Sequence, residues 1–363
     1  MNVSPETDDI TAALEAIEHG GKQYQFYKPL REAADEYIKW ASTPERRVYT
    51  GIKPFDEAMR GTGPGELTLI QGFTHSGKTL LATEIILNNP ETEFVLFTPD
   101  ETRSLVLTKL TAAHHSVGAE ELERRILADD EEARQLLIST AERYGKLAIF
   151  DETVTLMDMD RMFDEATDAL GKRPKAVMFD YADLLQGFDD VRACLMQLKA
   201  WGKRQQVAMF VIHQASRTSG ASGKRMGIDS GAYGGEQQST HVIGVRRKKY
   251  MHFAMLQILE EKIANSTNPN SITVFEAKMR EIRDILIPQD ETTITLSLNK
   301  NKRPPCRLID DTDFEVNPNT GRMFRVEHSK DSYGNPIKTT KVALQYLSRQ
   351  GEAQPWTEVE MEF

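Results

Sequence analysis

The residues with the clearest chemistry are Gly72-Phe73-Thr74-His75-Ser76-Gly77-Lys78-Thr79, a complete GxxxxGKT run. Glycines at these spacings let backbone N–H groups curl around phosphate oxygens, and a helix opening at Lys78 adds positive potential there. In such a loop the lysine reaches the outer phosphates and the Thr79 hydroxyl ligates Mg²⁺, so the run predicts a site for ATP and Mg²⁺. A magnesium ion held this way needs a second acid. The segment KAVMFDY at 175–181 reads as a buried strand ending in Asp180. A carboxylate at the carboxyl end of a neighbouring strand is the usual way to place that ligand.

Hydrolysis also needs a group to position or deprotonate water. The strand FVLFT ends in Pro99-Asp100-Glu101, and adjacent residues there point in roughly opposite directions, so one of Asp100 and Glu101 is expected to face the nucleotide. Gln214 closes another apolar strand, either as a polar group satisfied by backbone or as a reporter of phosphate state. Arg217–Lys249 carries seven Lys/Arg and two Asp/Glu on Gly/Ser-rich sequence. That charge on loops suits the backbone of single-stranded DNA, with Arg217, Lys224, Arg225, Arg246, Arg247 and Lys248 as candidates; a solvated surface is the plainer alternative. A second basic cluster, Lys300, Lys302 and Arg303, follows a predicted strand. His114-His115 has no acid or cysteine at ligand spacing and reads as helix surface, not a metal site.

These residues need a scaffold. The 363 residues have room for about two domains. Hydrophobic residues at 39% and charged residues at 28% describe an ordinary globular chain, and a net charge of -10 argues against a surface that coats nucleic acid with every face. Two distant cysteines exclude a disulfide framework or a cysteine zinc site. No apolar run reaches the roughly 18 residues of a membrane span, and the acidic start lacks the apolar segment of a signal peptide, so the cytoplasm is expected, bacterial or that of a phage-infected host. From residue 65 short apolar runs alternate with helical stretches, the pattern of βαβ units. The fold class expected is α/β: a twisted, mainly parallel sheet between helices, with a strand-rich C-terminal extension. A helix over 28–42 precedes it, a long Gly/Ser loop covers 216–239, and NSTNPN at 265–270 reads as a breaker. A hairpin around NPNTG lies near 314–326.

In this order the motifs resemble the RecA-like ATPase domain of DnaB-type replicative helicases, as often carried by bacteriophages. The stretch from Tyr49 to Arg307 carries the likeness. VYTGIKPFDEAMRGTGPGELTLIQG resembles the family's approach to its phosphate loop, and Phe97-Thr98-Pro99-Asp100-Glu101 occupies the place of its FSLEM. Phe179-Asp180-Tyr181-Ala182-Asp183-Leu184 resembles its IDYLQL, and His213-Gln214-Ala215-Ser216-Arg217 its SQLNR. The resemblance implies that Asp100, by register, or Glu101 is the catalytic base and that Gln214 senses nucleotide. It also implies that Lys300, with Lys302 or Arg303, is a finger reaching into a neighbour's ATP site.

The division expected is an N-terminal arm and helical linker at 1–48, an ATPase core at 49–310, and an extension with an acidic tail at 311–363. The resemblance implies an ATP-driven helicase translocating on single-stranded DNA, assembled as a homo-oligomeric, hexameric ring, with a primase or helicase loader as a further partner. A RecA-like filament-forming recombinase and a non-motor oligomeric ATPase are the alternatives.

Overall fold

The computed structural model describes residues 30–182, 185, 187, 191–214, 237–330 and 336–343. By its contacts the chain forms two units, Met1–Pro44 and Glu45–Phe363. The boundary thus lies four residues before the one expected from sequence. In the first unit, α1 (Leu30–Ser42) is amphipathic, and Tyr37 stacks on Trp40 with ring centroids 5.8 Å apart.

The second unit is built on one ten-stranded sheet, ordered β10-β9-β8-β7-β6-β1-β5-β4-β2-β3. In chain order it begins with α2 (Lys53–Met59), β1 (Leu67–Gly72), α3 (Lys78–Leu87), β2 (Phe94–Phe97) and α4 (Arg103–His115). Then come α5 (Ala119–Leu127), α6 (Glu131–Arg143), β3 (Leu147–Phe150), α7 (Leu156–Leu170), β4 (Ala176–Phe179), α8 (Val191–Gln205), β5 (Ala208–Gln214) and β6 (His241–Arg247). These six strands run parallel. Helices α9 (Lys248–Ala264) and α10 (Pro269–Glu281) follow, and β7 (Thr293–Asn301), β8 (Ile309–Val316), β9 (Met323–Lys330) and β10 (Pro336–Ala343) add antiparallel strands at one edge. The sequence-based fold class matches this architecture. An extension starting at residue 311 would cut β8, which is hydrogen-bonded to β7 within the same sheet.

Period-2 alternation explains the layers. Val207, just before β5, and Met209 and Val211 on it pack to one face with Leu195, Leu198 and Trp201 of α8. Ala208, Phe210 and Ile212 pack to the other with Leu81 and Ile85 of α3. Both faces are covered, so the parallel strands are apolar throughout rather than alternating. Each large apolar side chain among them contributes on the order of 1.5–3 kcal/mol by leaving water. NPNTG forms the β8–β9 hairpin, closed by Asn317 N–H donating to the Arg322 carbonyl at 2.9 Å.

Sequence reasoning misses α10 and β10. The expected breaker at 265–270 does end α9 at Ala264, but α10 starts within it, with Asn268 as the cap and Pro269 in the first turn, where its missing N–H costs nothing. The acidic tail and the Gly/Ser loop from 215 to 236 lie outside the described residues.

Candidate nucleotide site

Parallel strands β1, β5, β4 and β2 end together: Gly72 is level with Gln214, and Phe97 is level with Phe179. Loops leaving this carboxyl edge therefore converge. The phosphate loop spans 73–77, and α3 starts at Lys78. Two glycines make its path possible. At Gly72 a Cβ would lie 2.4 Å from the Val245 carbonyl oxygen and 2.3 Å from Ser76 Oγ. Gly77 caps α3 at φ 101°, and a Cβ there would lie 2.4 Å from Ile294 Cδ1. His75 also holds a positive φ of 60°.

Lys78 is buried, and its Nζ donates to the Phe73 carbonyl at 2.8 Å, back across the loop it is expected to serve. It also lies 5.7 Å from the centroid of the Tyr181 ring. The Thr79 hydroxyl bonds both the Asp180 carboxylate and the Tyr181 phenol. Asp180 follows β4 directly, and its N–H donates to the Phe97 carbonyl at 2.9 Å. Burial, helped by the nearby Glu101 charge, pushes Asp180 up to about 6, against the pull of the Thr79 hydroxyl and the Lys78 ammonium. Asp180 Oδ1 and Ser76 Oγ are buried with no hydrogen-bond partner among the described residues. Buried polar atoms without partners are costly. Thr79 and Asp180 are the oxygen donors a magnesium ion takes, and the loop amides, Ser76 and Lys78 are the donors a triphosphate takes. The residues present fit both groups.

Beside Asp180 lies a cavity of about 20 Å³, lined among others by Thr79, Thr98, Glu101 and Lys109. It has room for one water. Glu101 faces it, 18% exposed and ion-paired with Lys109 of α4, while Asp100 is exposed and does not line it. The register of the motif points to Asp100; the geometry puts Glu101 beside Asp180. Gln214, at the end of β5, donates from Nε2 to Thr74 Oγ1 of the phosphate loop.

The profile of the family described as "DnaB-like helicase C terminal domain" matches residues 47–281. The chain belongs to that family. No curated protein matches. Among solved structures, the ATPase domain of another DnaB-like helicase superposes with a TM-score of 0.60 at 15% identity, over 83% of this chain and 100% of that one. Another, titled "The Structure Of A DnaB-Like Replicative Helicase And Its Interactions With Primase", gives a TM-score of 0.59 at 15% identity, over 90% of this chain and 73% of that one. At that identity they support the fold: the RecA-like α/β sheet of DnaB-like helicase domains.

The proposed finger separates into two kinds of residue. Arg303 is 7% exposed and ion-paired with Glu66 of its own chain, with its backbone N–H donating to Asn301 Oδ1 at 3.0 Å. In this chain it is packed against its own fold. Lys302 is exposed and donates from Nζ to the Gln237 carbonyl at 3.3 Å, and Lys300 is half-buried on β7. Both lie at the amino edge of the parallel strands: Asn301 is level with His241, which is level with Thr68 at the start of β1. That is the opposite end of the sheet from the chain's own phosphate loop.

The DNA candidates change similarly. Arg246 is buried and ion-paired with Asp311 of β8, and Lys248 is held by Asp313 at 2.8 Å and Asp290 at 3.3 Å. Burial lowers the Lys248 pKa, but the bonded Asp313 and the adjacent Asp290 outweigh it and hold the group above its ordinary value. These two stitch β6 and α9 to the antiparallel edge. Arg247 is half-buried. Arg217, Lys224 and Arg225 lie outside the described residues. Among the described residues no cluster of His, Cys, Asp and Glu suits a metal, and no helix is long and apolar enough to cross a membrane.

Sequence reasoning misses Lys109 and Tyr181, which line or adjoin the site. Tyr181 is next to a named residue. Lys109 lies on a helix with no local motif, and only packing brings it to the site.

Proposed function

We propose that this chain is the ATPase subunit of a replicative DNA helicase that moves along single-stranded DNA by hydrolysing ATP. The observation that carries this reading is the separation of chemistry along one sheet. Groups for a metal-bound triphosphate gather at the carboxyl edge, and the cations suited to a transferring phosphoryl group sit at the amino edge, beyond reach of their own loop. A complete site then takes two chains, with Lys300 and Lys302 of one copy meeting the nucleotide of the next. Head-to-tail contacts of this kind close into a ring when the rotation allows, and a hexamer is the ring proposed.

In that site the loop amides and Lys78 orient the triphosphate. Mg²⁺, held by Thr79 and Asp180, neutralises charge on the phosphate oxygens when bound. Glu101 holds the attacking water and takes its proton. Charge spreads onto the outer phosphate as its bond to the leaving oxygen breaks, and Lys78 and the neighbour's Lys300 and Lys302 stabilise it. Gln214, bonded to Thr74, passes loss of that phosphate to the strand that precedes the basic loop, where Arg217, Lys224 and Arg225 track DNA phosphates. A primase or loader is the further partner this reading includes, and the cytoplasm its compartment.

Mixing tests the composite site. Lys78→Ala and Lys302→Ala chains should each lose turnover, and mixed oligomers should recover part of it, because some interfaces pair an intact loop with intact lysines. ATPase activity should rise with single-stranded DNA, less so at high salt, and strand displacement should need ATP. Activity indifferent to DNA at low salt would favour the non-motor ATPase. Filaments rather than closed rings by negative-stain microscopy would favour the recombinase.

A further inference from the structure

Helix α4 turns a lysine inward. Val106, Leu110 and Ala113 are buried along one face, and Lys109, three residues after Val106, lies on that same face. Lysines seldom face inward unless paired. The Lys109 ammonium donates to Glu101 Oε1, and with Val106 and Leu110 the lysine lines the cavity of about 20 Å³ beside Asp180. Helical side chains lean toward the helix N-terminus. Glu101 sits two residues before the first residue of α4, so that lean carries the ammonium back to the carboxylate.

Packing alone does not account for this lysine. The pair is partly exposed, 36% at Lys109 and 18% at Glu101, and such pairs contribute little to stability. An apolar side chain at 109 would continue the Val106–Leu110 surface and need no partner. The backbone of Glu101 is fixed separately. Its N–H donates to the Thr98 carbonyl at 3.2 Å, and Thr98 N–H donates to the Phe150 carbonyl of β3 at 2.8 Å. That turn fixes where the Glu101 side chain starts; Lys109 fixes where its carboxylate ends, against the cavity.

We propose that Lys109 is a positioning residue for hydrolysis, its ammonium holding the Glu101 carboxylate at the cavity beside Asp180 where the attacking water sits. The inference rests on the reading of Glu101 as the base and adds the group that aims it. Glu101 and Asp180 border one cavity, and two carboxylates so placed repel. Without Lys109, Glu101 would turn away from Asp180 toward solvent, and the water would lose its acceptor. With Lys109 in place one carboxylate oxygen is engaged and the other can accept from water. In the step itself the water oxygen bonds to the outer phosphorus, the bridging oxygen leaves with its electron pair, and the proton of water passes to Glu101. Lys109 keeps its own proton and touches no reacting atom.

The test follows steady-state ATPase activity of the full-length chain. Lys109→Met keeps an apolar stem against Val106 and Leu110 and removes the charge. KM for ATP should stay within about 2-fold of wild type, because the phosphate loop is untouched. In the same variant kcat should fall between about 10- and 10²-fold, the loss expected when a reacting group is misplaced by about an ångström. Lys109→Arg, which restores a cation, should recover part of it. In a Glu101→Gln background no carboxylate remains to be aimed, so Lys109→Met should lower kcat there by less than about 2-fold. Binding of a fluorescent ATP analogue checks that the Lys109→Met chain is folded, and Lys109→Gln takes its place under the same criteria if it is not. A Lys109→Met kcat within about 2-fold of wild type overturns the proposal. So does a raised KM with unchanged kcat, which assigns Lys109 to nucleotide binding, and so do equal losses in both backgrounds, which show that it acts apart from Glu101. If Glu101→Gln alone turns over near normally, the base reading fails and takes this inference with it. If Glu101→Gln is slow and Lys109→Met is not, only the inference falls.

Discussion

Replacing Arg303 by alanine separates a finger from a structural cation. The guanidinium is 7% exposed and its partner Glu66 23% exposed, so the pair is largely out of water. Burial pulls Arg303 below its ordinary range, and the Glu66 charge and hydrogen bond pull it back. Removing one member of a buried pair costs roughly 3–5 kcal/mol, because the other charge stays behind unmatched. Glu66 keeps a second donor, the Gly63 N–H at 2.7 Å, and some solvent, which places the loss near the low end, about 3 kcal/mol. At about 2 °C per kcal/mol for a domain of this size, the thermal midpoint should drop by about 6 °C. Urea unfolding of the apo protein, followed by tryptophan fluorescence, measures the same quantity without nucleotide. Arg303→Met combined with Glu66→Gln should recover much of the loss, since no buried charge is then stranded. Lys302→Ala, at an exposed side chain, should stay within about 0.5 kcal/mol of wild type while losing turnover. An Arg303→Ala protein with an unchanged midpoint and abolished hydrolysis would refute this reasoning and return Arg303 to the neighbour's site.

Glu101→Gln should lower turnover by about 10²-fold or more with ATP still bound, while Asp100→Asn changes it by only a few fold; steady-state ATPase assays decide, and the reverse order would restore the motif's register. Arg246→Ala should lower stability more than Arg247→Ala, because Arg246 is buried in its ion pair with Asp311 while Arg247 is half-buried, as urea midpoints will show. Asp56 is buried and accepts from Thr50 N–H at 2.7 Å, the Thr50 hydroxyl at 2.8 Å and Gly51 N–H at 2.9 Å, and burial pushes it up to about 7 from an ordinary 3.8. A raised carboxyl binds its proton more tightly when folded, so its contribution is full below about pH 4 and is lost as pH rises through 7. Unfolding free energy should therefore carry a component falling by roughly 1 kcal/mol per pH unit between about pH 4 and 7, absent in Asp56→Asn; a slope that survives the substitution removes Asp56 as its source.

The amino-acid order alone determined the parallel sheet, the phosphate loop with Lys78 and Thr79, Asp180 at a strand end, and Gln214 closing another. Each is a local matter: apolar runs of strand length, glycines at set spacings, an acid where a strand stops. Gln214 meeting Thr74 follows once those strands pair. The tertiary structure decided what each free-looking charge does. Arg303, Arg246 and Lys248 read as available cations because their carboxylates lie 237, 65 and 65 residues away along the chain, on strands whose pairing no short window reveals. The choice between Asp100 and Glu101 turned on where the chain goes after Thr98 and on Lys109, one helix away. Local geometry is written in neighbouring residues, but charge pairing is settled by which distant strands lie side by side, and that is a property of the packed fold.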